Sequence, residues 1–264
     1  MAKIIAFAKS ISKPTPPRQS PYDWFYFICV AAMLGLIALV VYLSLKDAKK
    51  TLNACYVVSA ALMWAGELYK QFVYTFAKNT PSYSWYSFPF QFCSMPLYTY
   101  VIAAILKKGK VYDAISAFNA TYCLFAGLLV IIAPESVVGK TTCFGIVFQS
   151  LLHHVLMVVT GVAALCAYAK DYDLILYRNA FFVFSVTIVI AEILNFLLPA
   201  VTGQKVNMFF IGPYIKLNFF VPFLNAFPYP IFVLLYILAF SEIAAGIMYA
   251  AYKFSHRVKN VIKR

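Results

Sequence analysis

Apolar runs of membrane-crossing length recur along this chain from end to end, and they exclude a water-soluble globule. A helix needs about 20 mostly apolar residues to cross the hydrocarbon core. Seven windows meet that demand, at roughly 22–45, 52–76, 88–106, 111–133, 143–169, 176–199 and 229–252. Most connections are short and polar: LKDAKK, KKGK, PESVVGK and KDYD. Of 264 residues, 63% are apolar and 12% charged, against about half and a quarter in a soluble domain. The expected fold is all-α, a polytopic membrane helix bundle of seven transmembrane helices over 22–252. A basic N-terminal tail occupies 1–21 and a basic cytoplasmic C-terminal tail 253–264. No internal repeat is visible, which weighs against inverted-repeat transporters.

The formal net charge of +13 does not point to nucleic acid. Basic residues gather at the ends of the apolar windows, where they set topology and meet anionic headgroups. One side receives Lys46, Lys49, Lys50, Lys107, Lys108, Lys110, Lys170, Arg178, Lys253, Arg257, Lys259, Lys263 and Arg264. The other receives Lys3, Lys9, Lys13, Arg18, Lys78, Lys140, Lys205 and Lys216. The richer side reads as cytoplasmic, which puts the C-terminus inside a cell membrane and the N-terminus outside. Membrane lipids are then the expected partners. Cys29, Cys55, Cys123 and Cys166 sit in apolar runs and read as small buried hydrophobes. No CxxC or Cys/His metal spacing occurs, so neither metal nor cofactor is expected. VGKTT at 138–142 echoes a phosphate-binding loop, but the required earlier glycine falls at Pro134 and no strand precedes it.

The connection at 200–228 is different. It is aromatic and broken by Pro213, Pro222 and Pro228, too irregular to span and too apolar to be a solvated loop. Irregular backbone at membrane depth is tolerated only against protein or around a cavity. This segment is therefore expected to roof a site on the outer face.

Ionisable and amide groups are costly in the bilayer core and face the bundle interior. Glu67, Lys70, Gln71 and Tyr74 share one helical face. Gln149, His153 and His154 lie in the fifth window. Glu192 and Asn195 lie in the sixth, Glu242 in the seventh, and Gln91 and Cys93 in the third. At about 1.5 Å rise per residue, most of these fall in the outer half, beneath the aromatic connection.

A reactive cysteine needs a base in reach, and a carboxylate can orient that base. Cys93, His154 and Glu67 supply the three parts as catalytic candidates. Gln91, His153, Gln149, Lys70, Glu192, Asn195 and Asn207 are candidate substrate-binding residues. In FPFQFCSMPLY (88–98), Pro89 suits the first turn of the third helix. Pro96 is expected to kink it just after Cys93, leaving Gln91 or a freed backbone group to steady an oxyanion.

These residues resemble the YwaF-like family of integral membrane proteins, whose animal relatives include an ether-phospholipid acyltransferase. FPFQFC is similar to the family's Pro-Leu-His-Leu-Cys motif, with Gln91 in place of the histidine. AGLLVIIAPES (126–136) is similar to its glycine-rich helix ending in a proline–acid pair. SLLHHVLMVV is similar to its central-His helix, with His154 matched and His153 as the alternative. VNMFF (206–210) resembles its Asn-Tyr-Met-Phe loop, with Asn207 in the Asn or the Tyr place. The resemblance spans most of 52–250 and implies that Cys93 carries an acyl group. The leading expectation is a membrane-embedded lipid acyltransferase or transacylase. The alternative is a transporter or binding protein for a small polar or cationic solute, using Glu67, Glu192 and His154 as ligands.

Overall fold

An isolated apolar segment satisfies its own backbone hydrogen bonds only as a helix, and helices dominate the chain. The computed structural model describes residues 1–12, 20–136, 143–168, 173–215 and 226–262. Its helices are α1 (Ala2–Ile11), α2 (Trp24–Phe76), α3 (Met95–Leu106), α4 (Lys110–Phe118), α5 (Leu124–Ile132), α6 (Phe144–Tyr168), α7 (Leu174–Thr202) and α8 (Tyr229–Ile262). A π-helical turn, Asn119–Cys123, joins α4 to α5. Among the described residues, five helical segments are long and apolar enough to cross a membrane. They are Trp24–Phe76, Lys110–Ile132, Phe144–Tyr168, Leu174–Thr202 and Tyr229–Phe254, with a shorter apolar helix at Phe92–Leu106. VGKTT and residues 216–225 of the aromatic connection lie outside the described residues, as do Lys13, Arg18, Lys140, Lys170, Lys216, Lys263 and Arg264.

The first two expected windows form one element, α2, of 53 residues. A straight helix of that length reaches about 80 Å at 1.5 Å per residue. It is interrupted at Asp47, whose backbone is extended (φ −154°, ψ 96°). The Asp47 carboxylate then accepts from the Lys50 N–H at 3.0 Å, capping the second arm. The arms fold back on each other. Phe25, near the start, packs on Phe144 with centroids 4.8 Å apart. Tyr69, near the far end, faces Cys143 beside the same helix terminus. The turn lies at the other terminus of α6, where the Lys49 ammonium sits 3.5 Å above the Tyr168 ring.

The third helix starts later than its composition suggests. Residues 88–94 are irregular apart from a 3-10 turn at Phe92–Ser94, and α3 begins at Met95. Pro96 is therefore in the first turn, where its missing N–H removes no helical bond. It does not kink a helix beyond Cys93, and Pro89 precedes the helix altogether.

α6 and the α4–α5 segment form the centre of the bundle: their apolar windows are 67% and 72% buried, whereas those of α7 and α8 are 28% buried. Gly127 and Gly161 allow neighbours to approach α6. A Cβ on Gly127 would lie 2.9 Å from the Met157 Cβ and 3.3 Å from the His154 carbonyl oxygen. A Cβ on Gly161 would lie 2.8 Å from the Leu124 Cβ. Small residues at such crossings let backbones pack directly. Toward the Lys49 end, buried hydroxyls and amides bridge helices: Ser59 to Thr160 (2.8 Å), Tyr56 to Ser116 (3.0 Å) and Thr99 to Asn119 (2.9 Å).

Gly161→Val is expected to destabilise the protein by about 1–3 kcal/mol through overpacking. Gly246→Ala, with nothing within 4 Å of its added methyl, should not destabilise it. Thermal unfolding of both variants in the same detergent is the check, and a Gly161→Val protein as stable as the parent would contradict this packing.

Candidate functional site

His153 and His154 occupy adjacent positions on α6, 94% and 97% buried. On a helix their side chains point about 100° apart, so they meet different partners. The His153 Nε2–H donates to the Cys93 carbonyl at 2.8 Å. The His154 Nδ1–H donates to the Ser150 carbonyl one turn back, at 2.7 Å. A carbonyl only accepts, so each bond puts the single proton of a neutral ring on the bonded nitrogen. The remaining nitrogens, His153 Nδ1 and His154 Nε2, are buried acceptors without a hydrogen-bond partner among the described residues. The two rings lie with centroids 5.4 Å apart, tilted by 55°.

The third-window cysteine is held against His153. The bond from His153 ends on the backbone of Cys93 itself. Covalent geometry therefore keeps the thiol within roughly 7 Å of His153 Nε2. Cys93 is half-buried. Its irregular approach is tied by side chains at three carbonyls. Gln71 donates to Ser87 O (2.6 Å), Tyr98 to Pro89 O (2.8 Å) and His153 to Cys93 O (2.8 Å). The rings of Phe90 and Phe92 pack against Phe209, with centroids 6.0 and 5.2 Å away. The Gln91 side-chain oxygen in this stretch is buried without a partner among the described residues.

The second arm of α2 brings charge. Glu67 is 1% exposed, pairs with Lys70 at 2.7 Å and accepts from Gln71 at 2.6 Å. This is the i, i+3, i+4 face expected from spacing. Lys70 lies close enough to interact electrostatically with Cys93, His153 and His154. The hydrogen-bond chain Ser87–Gln71–Glu67 runs inward from a surface depression of about 440 Å³, whose wall includes Ser87, Tyr74 and Val73. Gln149 packs on the same arm, where Gly66 admits its side chain: a Cβ there would lie 2.9 Å from the Gln149 Cγ.

The asparagines hold the roof. Asn195 accepts from the Met208 N–H (2.6 Å) and donates to the Met208 carbonyl (3.1 Å). Asn207 accepts from the Gly212 N–H (2.6 Å) and donates to Ile215 O (3.3 Å). Gly212 is needed where both converge, since a Cβ there would lie 2.9 and 3.1 Å from their oxygens. Between them Phe209 and Phe210 adopt left-handed backbone, φ 57° and 59°, at a cost of about 1–3 kcal/mol each. Gln204 extends the roof by accepting from Trp85 N and donating to Tyr83 O. Glu192 accepts from the Tyr229 hydroxyl, linking α7 to α8.

Cys93, His153, His154, Glu67 and Lys70 therefore gather in one cluster, with Gln149 and Gln91 beside it. Asn195 and Asn207 belong to the roof, and Glu192 to the α7–α8 contact. Sequence reasoning missed the backbone anchors Trp64, which donates to Leu97 O at 2.7 Å, and Tyr98. The only trace of them was aromatic composition. Gln71, placed on the Glu67 face, turns out to be a link of the cluster.

A family model, the TMEM164 family, matches residues 16–249. No curated protein and no solved structure matches the chain. The chain belongs to the TMEM164 family, a family of membrane proteins.

Asn195→Leu removes both bonds to Met208 and leaves buried backbone groups unpaired, at about 1–3 kcal/mol for each. It is expected to lower the melting temperature and speed modification of Cys93 by a thiol reagent. Labelling at the parental rate in the folded variant would contradict this role for Asn195.

Proposed function

We propose that this member of the TMEM164 family is a lipid acyltransferase or transacylase that carries the acyl group on Cys93. The observation that supports it is a cysteine loop hydrogen-bonded to His153, on the same turn of α6 as His154 and within electrostatic reach of the Glu67–Lys70 pair. The resemblance to YwaF-like proteins, whose animal ether-phospholipid acyltransferase relative is thought to carry the acyl group on the motif cysteine, leads to the same residue.

The reaction has two halves. His154 Nε2 takes the Cys93 proton, and the thiolate attacks the carbonyl carbon of a lipid ester. The tetrahedral intermediate collapses, the ester C–O bond breaks, and the imidazolium returns the proton to the departing alkoxide. An acceptor hydroxyl, deprotonated by the same nitrogen, then attacks the thioester and releases the Cys93 thiolate, which regains the proton. Lys70 stabilises the thiolate, since positive charge near a cysteine favours its ionised form. Glu67 balances Lys70. The Gln91 amide is the donor for the oxyanion. His153 is a positioning residue, because its ring proton is held by the Cys93 carbonyl. Phe88, Phe90 and Tyr98 suit an acyl chain.

The topology follows the same reading. The fold-back at Asp47 makes two passes of α2, and Phe92–Leu106 adds one to the four others, giving seven. The lysine-rich end, with Lys46, Lys49, Lys50, Lys107, Lys108, Lys110, Arg178 and Lys253, is then cytoplasmic by the positive-inside rule. The C-terminus lies there, and the Cys93 cluster opens toward the outer leaflet. The solute-transporter alternative requires free ligands through the whole bundle. Tyr56, Ser116, Asn119 and Thr99 at the other end bond to one another.

Intact-mass analysis of protein incubated with phospholipid is expected to show an acyl adduct on Cys93, lost in Cys93→Ala. His154→Ala should slow transfer by roughly 10²–10⁴-fold. His153→Gln, which keeps a donor for the Cys93 carbonyl, should retain far more activity than His153→Leu. Full activity in Cys93→Ala would defeat the enzyme reading and leave the solute-binding one. A cytoplasm-only reporter fused after Arg264 should be active, and a well-expressed but silent fusion would reverse the orientation.

A further inference from the structure

The end of the bundle away from Cys93 carries a second feature. A crevice of about 700 Å³ opens between the first turns of α4 and α7. One part of its wall is cationic, with Lys49, Lys110 and Arg178. Another is apolar, and Val111, Ile175 and Phe182 there are 59%, 58% and 66% exposed. On a membrane helix such exposed apolar side chains meet acyl chains.

The charges inside the crevice do not cancel. Asp113 is engaged twice, by the Tyr168 hydroxyl at 2.5 Å and by Lys49 at 3.9 Å. Asp173 is committed to capping α7, accepting from the Leu176 N–H at 2.6 Å. Among the described residues, neither Lys110 nor Arg178 has an acidic partner within ion-pair distance. With Lys49, Lys110 and Arg178 against Asp113 and Asp173, the lining keeps a net positive charge, and its outer wall continues into lipid-facing surface.

We infer that this crevice binds an anionic phospholipid from the leaflet at the lysine-rich end. Lys110 and Arg178 hold its phosphate, and its acyl chains lie along Val111, Ile175 and Phe182. Arginine suits phosphate because its planar fork donates two parallel bonds, and basic pockets between membrane helices on the cytoplasmic side favour acidic headgroups. The exposed apolar wall selects a lipid over a soluble anion. The inference does not depend on chemistry at Cys93.

Native mass spectrometry of the full chain, with equal amounts of phosphatidylglycerol and phosphatidylcholine, tests it. Preferential retention of phosphatidylglycerol is expected. Lys110→Ala with Arg178→Ala should weaken that retention by roughly 10- to 30-fold, whereas Lys78→Ala with Lys205→Ala, at the other end, should leave it unchanged. The glutamine pair at 110 and 178 serves if the alanine pair does not fold. Equal retention of both lipids, or retention indifferent to the 110/178 substitutions, would overturn the inference. Displacement of the lipid by low-millimolar inorganic phosphate would overturn it too, because the crevice would then be a soluble-anion site.

Discussion

Backbone groups that no helix satisfies must find side-chain partners once water is excluded, and the architecture around Cys93 is organised by that need. The chain leaves regular helix between Phe76 and Met95, and again after Thr202. At both places side chains supply the missing bonds: Gln71, Tyr98 and His153 to carbonyls before α3, Asn195 of α7 to both groups of Met208, and Asn207 of the irregular segment itself to Gly212 and Ile215. An unmade bond of this kind costs several kcal/mol in an apolar setting. The polar residues of α2, α6 and α7 are thus placed first by backbone accounting. Any chemistry uses what that accounting leaves over.

What it leaves over is specific. His153 and His154 each commit one nitrogen to a carbonyl and keep one lone pair free. Glu67 is neutralised by Lys70, yet that cation remains near Cys93 and both histidines. Such half-satisfied groups are expensive in a low-dielectric interior. Retaining them has a physical rationale when they handle a proton or a transient charge. The amides of Asn195 and Asn207 engage both their oxygen and their nitrogen with backbone, which separates the roof from the Cys93 cluster.

The two ends of the bundle differ in the same respect. Around Asn119 the buried hydroxyls bond among themselves across α2, α3 and α4, locking helices together. Gly127 and Gly161 bring α5 and the π-helical turn directly onto α6, so the His154 turn sits in a tightly packed frame.

Hydropathy alone was enough to read an all-helical membrane chain, since apolar runs leave the backbone one economical solution. Most window limits fell within a few residues of the helix ends, although α8 runs on to Ile262, ten residues past its window. Spacing of three and four placed Lys70 and Gln71 on Glu67, because those contacts are local to one helix. The start of α3 was misread: aromatic residues 88–94 carry the hydropathy of a span but not its backbone, and Pro96 fits a first turn as readily as a kink. The fold-back of α2 was visible as two windows, while its single-residue break at Asp47 was not. Which amides hold a roof and which histidine touches Cys93 was decided only in three dimensions. Those bonds join residues far apart in the chain, and no local period records them.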